Sequence, residues 1–391
     1  MERTLVLEAV NKVGEKVLLA GWVVTRRDHG KLVFIDLLDR SGIIQVVGGE
    51  ELSSLRPQDV VEITGKVQKR PEKMVNRKIP TGSVEVRSEK VNLLSKAEEM
   101  PFDMGGETLN LELPTLLDYR TLTLRHPRVK EIFKVQEAVM EGFRKAAQGL
   151  GCTEIFVPTI SASATEGGAD MFKVDYYGHS AFMTQSPQLY KQMLVPVFER
   201  VFTIAHAYRA EPSVTTRHLS ESTQLDCEFG FATFETLLDY LELVGKETLK
   251  YVEGACGDIL KDFGVEKLEI AGKVPRLTMR GAQKIILERT GVDHTKEKDL
   301  MPEDEREICK WAQDVYKSDL VTITHYPTKK RAFYTKADPK DPEYSLSYDL
   351  LFRGVEVLSG SQRVNDYKEL VEVIRERGMD PDNFEMYLQA F

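Results

Sequence analysis

The sequence lacks the features that mark membrane proteins, secreted proteins and small proteins stabilised by zinc or disulfides. No apolar run approaches the ~18 residues that a membrane-spanning helix needs, and the N-terminal residues Met-Glu-Arg-Thr-Leu-Val show no signal-peptide pattern. The four cysteines are widely spaced and form no Cys-x-x-Cys pair, which argues against a zinc site or a disulfide framework. They are Cys152, Cys227, Cys256 and Cys309. These absences predict a cytoplasmic protein without a membrane segment.

An excess of positive charge is also missing, since the net charge is -9. Nonspecific attraction to nucleic acid is therefore not expected, although a local basic patch can still bind it. There is no internal repeat and no low-complexity tract, so a repeat architecture is excluded. With 42% hydrophobic and 29% charged residues, the 391-residue chain has the composition and length of a globular protein with two or three domains.

The N-terminal quarter of the chain carries five short runs rich in β-forming residues. Glycine and aspartate separate these runs, for example at Asp28-His29-Gly30. The runs are Val17–Val24, Leu32–Leu37, Gly42–Val47, Val60–Val67 and Ser83–Arg87. Five short strands in so few residues predict a small β-barrel over residues 1–98, and an OB-fold has this strand count.

The rest of the chain mixes helical and strand patterns. Residues 99–125 are interpreted as a hinge or linker, and an amphipathic helix is predicted over about 128–150. Its predicted apolar face consists of Val129, Ile132, Phe133, Val139, Met140 and Phe143. Strands and helices then alternate to residue 391, so we predict an α+β protein with a second domain over 126–391.

Acids and bases alternate at strand-like spacing within residues 185–231, which few protein surfaces require. This stretch contains Ser186, Gln188, Lys191, Arg209, Glu211, Arg217, His218, Asp226 and Glu228. Such a set suits a site that binds a zwitterion and a triphosphate. Further along, Asp349 and Glu356 flank an Arg-Gly turn and can converge on one cation, because Mg²⁺ takes few protein oxygens. Arg363 follows on a glycine-flanked strand.

These blocks closely resemble motif 2 and the amino-acid pocket of class II aminoacyl-tRNA synthetases, specifically the aspartyl enzymes. Residues 151–158, which end in Pro158, resemble motif 1 of that family. The resemblance implies an anticodon-binding OB-fold, a catalytic domain with a mainly antiparallel sheet flanked by helices, and a homodimer built through motif 1. It also implies that the substrates are ATP, L-aspartate and tRNA(Asp), with Mg²⁺ as the metal.

For aspartate, the resemblance implies that Lys191 and Arg363 clamp the side-chain carboxylate. The two cations would be left unpaired by neutral asparagine, and such unpaired buried groups give strong discrimination. Asp226 and Gln188 would hold the substrate ammonium, with Ser186 nearby. Glu166, in a glycine-rich loop, would approach the same ammonium when the loop closes.

For ATP, the resemblance assigns Arg209 to the α-phosphate, where its planar fork stabilises developing charge. Glu211 would contact adenine, and Arg217 and His218 would reach the γ-phosphate. Asp349 and Glu356 would bind Mg²⁺, with Ser359 as a third ligand and Glu228 near the metal. Arg209, Lys191 and Arg363 are the predicted catalytic residues. Ser222 departs from the family, which often has an adenine-stacking aromatic at this position.

In the barrel, Phe34 and Gln45 match the family's anticodon-stacking and base-reading residues, and Arg26 matches a further contact. Taken alone, Phe34 would more simply be a core residue. His29 resembles members of the family that also accept tRNA(Asn). A second basic cluster lies at Lys66, Lys69, Arg70, Lys73, Arg77 and Lys78.

The family's glycine-rich third motif, with its ATP-binding arginine, is not found near Phe391, so the catalytic domain is expected to be C-terminally incomplete. The spacing from Asp226 to Asp349 leaves no room for the inserted domain of bacterial aspartyl enzymes, which favours the compact archaeal and eukaryotic layout. Three alternatives stay open. They are an asparaginyl-tRNA synthetase, a synthetase-derived asparagine synthetase (which would not use the barrel), and a non-catalytic RNA-binding paralogue.

Overall fold

The computed structural model describes residues 1–106, 108–162, 171–210, 219–270 and 272–391. These form two compact units, Met1–Lys130 and Glu131–Phe391. Glu166, Glu211, Arg217 and His218 lie outside the described residues. Within the described ranges, no helix combines the length and apolar character needed to cross a bilayer.

The first unit contains a five-stranded barrel followed by short helices. Its elements are β1 (Lys16–His29), β2 (Leu32–Leu38), β3 (Ile43–Gly48), α1 (Glu50–Ser53), β4 (Val60–Lys69), β5 (Val84–Ser95), α2 (Leu113–Asp118) and α3 (Arg120–Thr123). The barrel closes in the order β1-β2-β3-β5-β4, which confirms the predicted OB-fold. The segment predicted as a linker contains α2 and α3.

Alternation along the strands fills the barrel with β-branched and leucine side chains. Val33, Ile35 and Leu37 on β2 point inward and are buried, while the residues between them face outward. The core also takes Val17 and Leu19 from β1. Because the period of a strand is two, the same alternation decides which polar residues share the outer face.

The second unit contains several mainly antiparallel sheets flanked by helices, as predicted. Its elements are α4 (Pro127–Gly149), which starts in the first unit, β6 (Thr153–Glu154), β7 (Ile160–Ser161), β8 (Lys173–Tyr176), β9 (His179–Met183), α5 (Gln188–Phe198), β10 (Arg200–Tyr208), β11 (Glu221–Phe229), α6 (Phe234–Asp262), β12 (Arg276–Thr278), α7 (Met279–Thr290), α8 (Pro302–Tyr316), β13 (Leu320–Thr324), β14 (Ala337–Asp338), β15 (Asp341–Ser345), β16 (Ser347–Phe352), β17 (Val355–Ser361), α9 (Tyr367–Glu376) and α10 (Glu385–Leu388).

Two of these sheets carry the predicted site residues. One has the order β11-β10-β6 and the other β12-β13-β16-β17. The four-stranded sheet is buried on both faces, which explains why all five residues of β13 are buried. One face packs against α6 through Leu320 and Leu350, and the other packs against α7 and α8 through Ile323 and Leu351.

The predicted apolar face of the first long helix is partly wrong. Phe143 is buried, but Ile132 and Phe133 are 44% and 46% exposed. The helix packs on α6 through small residues as well as through Val139 and Phe143, and a Cβ on Gly142 would lie only 3.0 Å from Tyr251. Small side chains permit this close approach of the two helices, whereas hydrophobic periodicity alone favours the largest apolar residues.

Candidate active site

Apart from Asp349, the described site residues predicted in the second unit converge on one cleft of about 1580 Å³. Nine of the predicted site residues line it, although they come from α5 and the segment before it, the residue after β10, strands β11 and β17, and the segment after β17. They are Ser186, Gln188, Lys191, Arg209, Asp226, Glu228, Glu356, Ser359 and Arg363. The cleft therefore brings the polar residues of the stretch 185–231 together with Glu356, Ser359 and Arg363, which come much later in the sequence.

Helix α5 presents its first turn to the cleft. The Ser186 hydroxyl accepts a hydrogen bond from the Gln188 backbone N–H at 3.1 Å, at the start of the helix. Residues three and four apart share a helix face, so Gln188, Lys191 and Gln192 lie together and are all buried. Leu189 packs instead into the apolar cluster around α9 and α10. Helical spacing thus separates the polar and apolar sides of α5.

Strand β11 supplies two carboxylates on one face. Asp226 and Glu228 are two residues apart, so their side chains point the same way. The Lys191 ammonium lies 3.6 Å from Asp226 and 3.5 Å from Glu228. A buried ammonium between two carboxylates has its charge compensated before any ligand enters.

Arg363 completes this charged cluster. Its Nε donates to Glu228 Oε1 at 3.1 Å, its Nη2 to Gln188 Oε1 at 2.7 Å, and its Nη1 to Ser361 Oγ at 2.6 Å. The Tyr334 ring lies 5.0 Å from the guanidinium carbon. A guanidinium has five N–H donors; three are used within the described part of the chain, which leaves two for a ligand carboxylate.

The contact between Glu228 and Arg363 determines the protonation state of both groups. Burial acts to raise the pKa of Glu228, but Arg363 and Lys191 outweigh it and hold that pKa below its usual value. Burial acts to lower the pKa of Arg363, and Glu228 more than offsets this effect, so the pKa is raised. Both groups are therefore charged at neutral pH.

The β16–β17 hairpin carries the second group of acids. Arg353 and Gly354 form its turn with positive φ angles of 48° and 88°. Asp349 is opposite Ser359, whereas Glu356 is opposite Leu351, with a register shift between Leu350 and Leu351. This bulge turns Glu356 to the face of Asp349 and Ser359; without it, Glu356 would face α6.

Asp349 is buried, and Arg331 donates to its Oδ2 at 2.7 Å. Its Oδ1 is buried without a hydrogen-bond partner in the described residues. Burial raises the pKa of Asp349 despite Arg331. Glu356 is exposed on one side, yet desolvation by the neighbouring protein, and then the charge of Asp349, raise its pKa to about 7. Two carboxylates with a single arginine partner, and a buried oxygen without a hydrogen bond, fit a cation. A third ligand of the acid, histidine or cysteine type is not present, since the described residues contain no cluster of three or more such groups.

Arg209 follows β10, and its backbone N–H bonds to Ser220 at 3.0 Å. Its side chain is exposed in the cleft. Ser222 lies opposite Ala207 in the β10–β11 pairing. Neither residue is aromatic, so this pair offers no stacking surface for adenine.

In the barrel, three of the four predicted RNA-contacting residues share the outer face. Phe34 is opposite Arg27, and Gln45 is opposite Asp36. His29 packs edge-on against Phe34 with ring centroids 5.5 Å apart, and Gln45 donates to Glu85 at 3.0 Å. Phe34 is half-buried on this face and is not part of the barrel core.

Arg26 is placed differently. It is opposite Ile35, whose side chain points into the barrel, and it donates to the Leu55 carbonyl at 2.9 Å. Arg27, which the sequence analysis did not select, lies on the Phe34 face and pairs with Asp36 at 2.9 Å. Arg26 instead lines a separate cavity of about 610 Å³ together with Arg56 and Lys96.

Comparison with known proteins agrees with this geometry. Residues 112–391 match the family model of class II tRNA synthetases for D, K and N, and residues 17–94 match that of the OB-fold nucleic acid binding domain. The aspartate–tRNA(Asp/Asn) ligase of Thermus thermophilus is 39% identical over 100% of this chain and 90% of its own length. That of Aeropyrum pernix is 37% identical over 97% and 87%.

The chain belongs to the class II aminoacyl-tRNA synthetases. Among solved structures, the asparaginyl-tRNA synthetase of Pyrococcus horikoshii with asparaginyl-adenylate superposes with a TM-score of 0.85 at 29% identity, covering 100% of this chain and 90% of that one. The aspartyl enzyme of Entamoeba histolytica gives 0.85 at 26%, covering 100% and 84%. The full-length curated relatives place the chain among the aspartate–tRNA ligases.

Within this synthetase cleft, one predicted role disagrees with the observed contacts. Glu228 was expected near magnesium, but its two oxygens face Arg363, Gln188 and Lys191. Its neighbours are thus two cationic side chains and an amide. The alternation of β11 predicts that Glu228 points the same way as Asp226, and that signal was available in the sequence.

Several further residues in the synthetase cleft or directly behind it were missed. Ser361 is two positions before Arg363, and Gln192 is one helical turn after Gln188, so strand and helix periodicity could have indicated both. Arg331, Tyr334 and Tyr387 are remote in sequence from the residues they contact. Only tertiary packing identifies them.

Proposed function

We propose that this synthetase activates L-aspartate with ATP and transfers it to the 3′ end of tRNA(Asp) and tRNA(Asn). The observation that carries the proposal is the pair Lys191, which is buried, and Arg363, whose side chain is 19% exposed; both line one cleft, and two guanidinium donors are left for a ligand. A substrate carboxylate satisfies these cations. An asparagine amide carries no charge and presents an NH₂ to cationic donors, so its binding is penalised.

In the first step, an oxygen of the aspartate α-carboxylate attacks the α-phosphorus of ATP, and pyrophosphate leaves. In this proposal Asp226 and Gln188 hold the substrate ammonium and Arg209 binds the α-phosphate; all three line the cleft, which supports these roles. The 3′-terminal hydroxyl of tRNA then attacks the aspartyl carbonyl, and AMP leaves. Neither step needs a side-chain nucleophile, because positioning and charge neutralisation dominate such transfers.

Asp349 and Glu356 are the residues proposed to hold Mg²⁺, with Ser359 on the same strand face. The unpartnered Asp349 Oδ1 and the unbalanced pair of carboxylates support this assignment. When bound, the metal neutralises phosphate charge.

The outer face of the barrel is proposed to receive the tRNA anticodon. Phe34 and His29 offer aromatic surface for an unstacked base, and Gln45 offers an amide to a base edge. Arg27 shares this face, whereas Arg26 is better placed to contact a phosphate at its separate cavity. The names of the relatives include both tRNA(Asp) and tRNA(Asn).

A cytoplasmic homodimer is the proposed working form. All four cysteines are free, which suits a reducing compartment. Phe156 and Phe231 are 91% and 99% exposed in the single chain, and Ile132 and Phe133 are also exposed. Sedimentation equilibrium of the protein, with Phe156→Ser as the variant, tests whether Phe156 lies in a contact between two copies.

The main experiment compares pyrophosphate exchange driven by aspartate and by asparagine. We expect aspartate alone to support exchange, and Lys191→Leu to abolish it while ATP still binds. Retained aspartate turnover in that variant would contradict the pocket assignment. Preference for asparagine would support an asparaginyl enzyme, and tRNA binding without exchange would support a non-catalytic RNA-binding protein.

A further inference from the structure

A buried hydrogen-bond chain leads from helix α10 to the amino-acid pocket. Tyr387 Oη donates to Gln192 Oε1 at 3.2 Å, and Gln188 Nε2 donates to the same oxygen at 3.1 Å. All three residues are buried: Tyr387 is 3% exposed, Gln192 6% and Gln188 5%. Bulk water therefore cannot replace these partners, and each hydrogen bond constrains the orientation of the next group.

The chain determines which way each amide faces. Gln192 Oε1 has two lone pairs and two donors, so a reversed Gln192 would set its NH₂ against the NH₂ of Gln188. Gln188 Nε2 also donates to Glu228 Oε2 at 2.9 Å. Gln188 must then turn its oxygen to Arg363, which it does at 2.7 Å.

Arg363 is therefore held by three acceptors, and one of them is oriented from outside the cleft. Glu228, Ser361 and Gln188 fix the plane of the guanidinium. The direction of its two remaining N–H groups depends on that plane. A planar fork recognises a carboxylate bidentately only when its direction is correct.

Tyr387 is well suited to hold this chain in place. Its ring packs edge-on against Phe391 at 5.1 Å and Phe333 at 6.3 Å. These rings belong to the apolar cluster that also contains Leu189 from the opposite side of α5. The cluster thus fixes both the backbone of α5 and the hydroxyl that orients its glutamines.

We propose that Gln192 and Tyr387 are positioning residues for aspartate selection: they orient the Gln188 amide, and through it the guanidinium of Arg363 that grips the substrate side chain. This inference rests on the proposed function. Neither residue contacts the substrate in this assignment, so both act through Gln188.

The test uses Tyr387→Phe, which removes one hydroxyl and keeps the packed ring, and Gln192→Met, which removes the acceptor at similar volume. Tyr367→Phe, at an exposed tyrosine on α9, is the matched control. Binding of aspartate, asparagine and ATP is measured by calorimetry, and pyrophosphate exchange supplies KM and kcat.

We expect Tyr387→Phe to weaken aspartate binding about fivefold, the effect of one net hydrogen bond. Gln192→Met should weaken it about tenfold or more, because the Gln188 amide then loses its orienting acceptor. ATP affinity and kcat should change by less than about twofold, and the preference for aspartate over asparagine should fall in parallel. The control should match the wild type.

The double variant provides a second, independent readout. Because Tyr387 acts through Gln192, adding Tyr387→Phe to Gln192→Met should cause no further loss of aspartate affinity. Additive losses would overturn the proposed chain. Equal losses for aspartate and ATP, with a lowered Tm, would overturn it as well, since they indicate a merely structural role. If the wild type itself fails to select aspartate, the proposed function fails, whereas selection that is unchanged in the variants contradicts this inference alone.

Discussion

The charged region has two ends: at one, Lys191 and Arg363 face Asp226 and Glu228, whereas the other, on the β16–β17 hairpin, sets Asp349 and Glu356 against one described arginine, Arg331. The first cluster is neutral, because two cations face two carboxylates. The second carries excess negative charge and a buried unpartnered oxygen. A pocket for a zwitterion can be balanced in advance, while a site for a cation is left unbalanced until the cation arrives.

The largest expected effect comes from breaking the balanced end. Glu228→Gln removes the carboxylate between Lys191 and Arg363, which leaves buried positive charge uncompensated. We expect the free energy of unfolding of the second unit to fall by about 3 kcal/mol, as it does when one partner of a buried ion pair is removed. Denaturant unfolding at pH 7 measures it, and a loss below about 1 kcal/mol would show that the pairing contributes little.

The hairpin end should respond in the opposite manner. Glu356→Gln removes one of two like charges, so the fold should keep its stability within about 0.5 kcal/mol. Pyrophosphate exchange should nevertheless fall about 100-fold, because transition-state charge loses a stabilising group. Exchange assays and thermal unfolding on the same preparation check both parts. A variant that is destabilised as much as Glu228→Gln would remove the distinction between the two ends.

The pH dependence sharpens the same comparison. The pKa of Glu228 is lowered from 4.5 in the folded protein, so its stabilising charge is fully present above that value. The contribution is lost as the pH falls below 4.5 through the folded pKa. The stability difference between the wild type and Glu228→Gln should therefore be constant from pH 6 to 7 and shrink under acid conditions. A stability difference between the two proteins that stays the same when the pH is lowered below 4.5 would contradict the charge assignment.

The smallest effect is expected at a pair outside the cleft. Asp304, which caps α8, lies 2.8 Å from His294 Nδ1 and raises the pKa of that histidine above 6.5. The stabilisation is present below pH 6.5 and is lost as the pH rises through the folded pKa. His294→Asn should lower Tm slightly at pH 6 and leave it unchanged at pH 9. Tm scans at both values measure this, with Tyr367→Phe as a surface control.

Much of the barrel and of the amino-acid block was predictable, because strand alternation and helical spacing are local properties. The strands of the barrel, the start of α5 and the side shared by Asp226 and Glu228 all follow from periods of two and of three to four residues. Arg26 was grouped with the wrong face. It is three residues before His29, so strand alternation already places the two on opposite faces, and its pairing opposite Ile35 agrees.

The helix α4 fails for a different reason. Hydrophobic periodicity favours Ile132 and Phe133 as core residues, but the partner helix approaches Gly142 so closely that small residues form part of the contact. The choice between the two faces depends on the shape of α6, which is encoded about 100 residues later. Propensity and pattern carry no information about such a partner.

By itself, the sequence determined the order of the domains, the residue types of the cleft and their resemblance to the class II synthetases, since these depend on composition and spacing. The tertiary structure alone decided which groups meet. A bulge opposite Leu350 and Leu351 turned Glu356 toward Asp349, and α10 brought Tyr387 to Gln192 across 195 residues. The reason is physical: one extra residue in a strand reverses a side chain, and long-range contacts form only where packed elements hold them together.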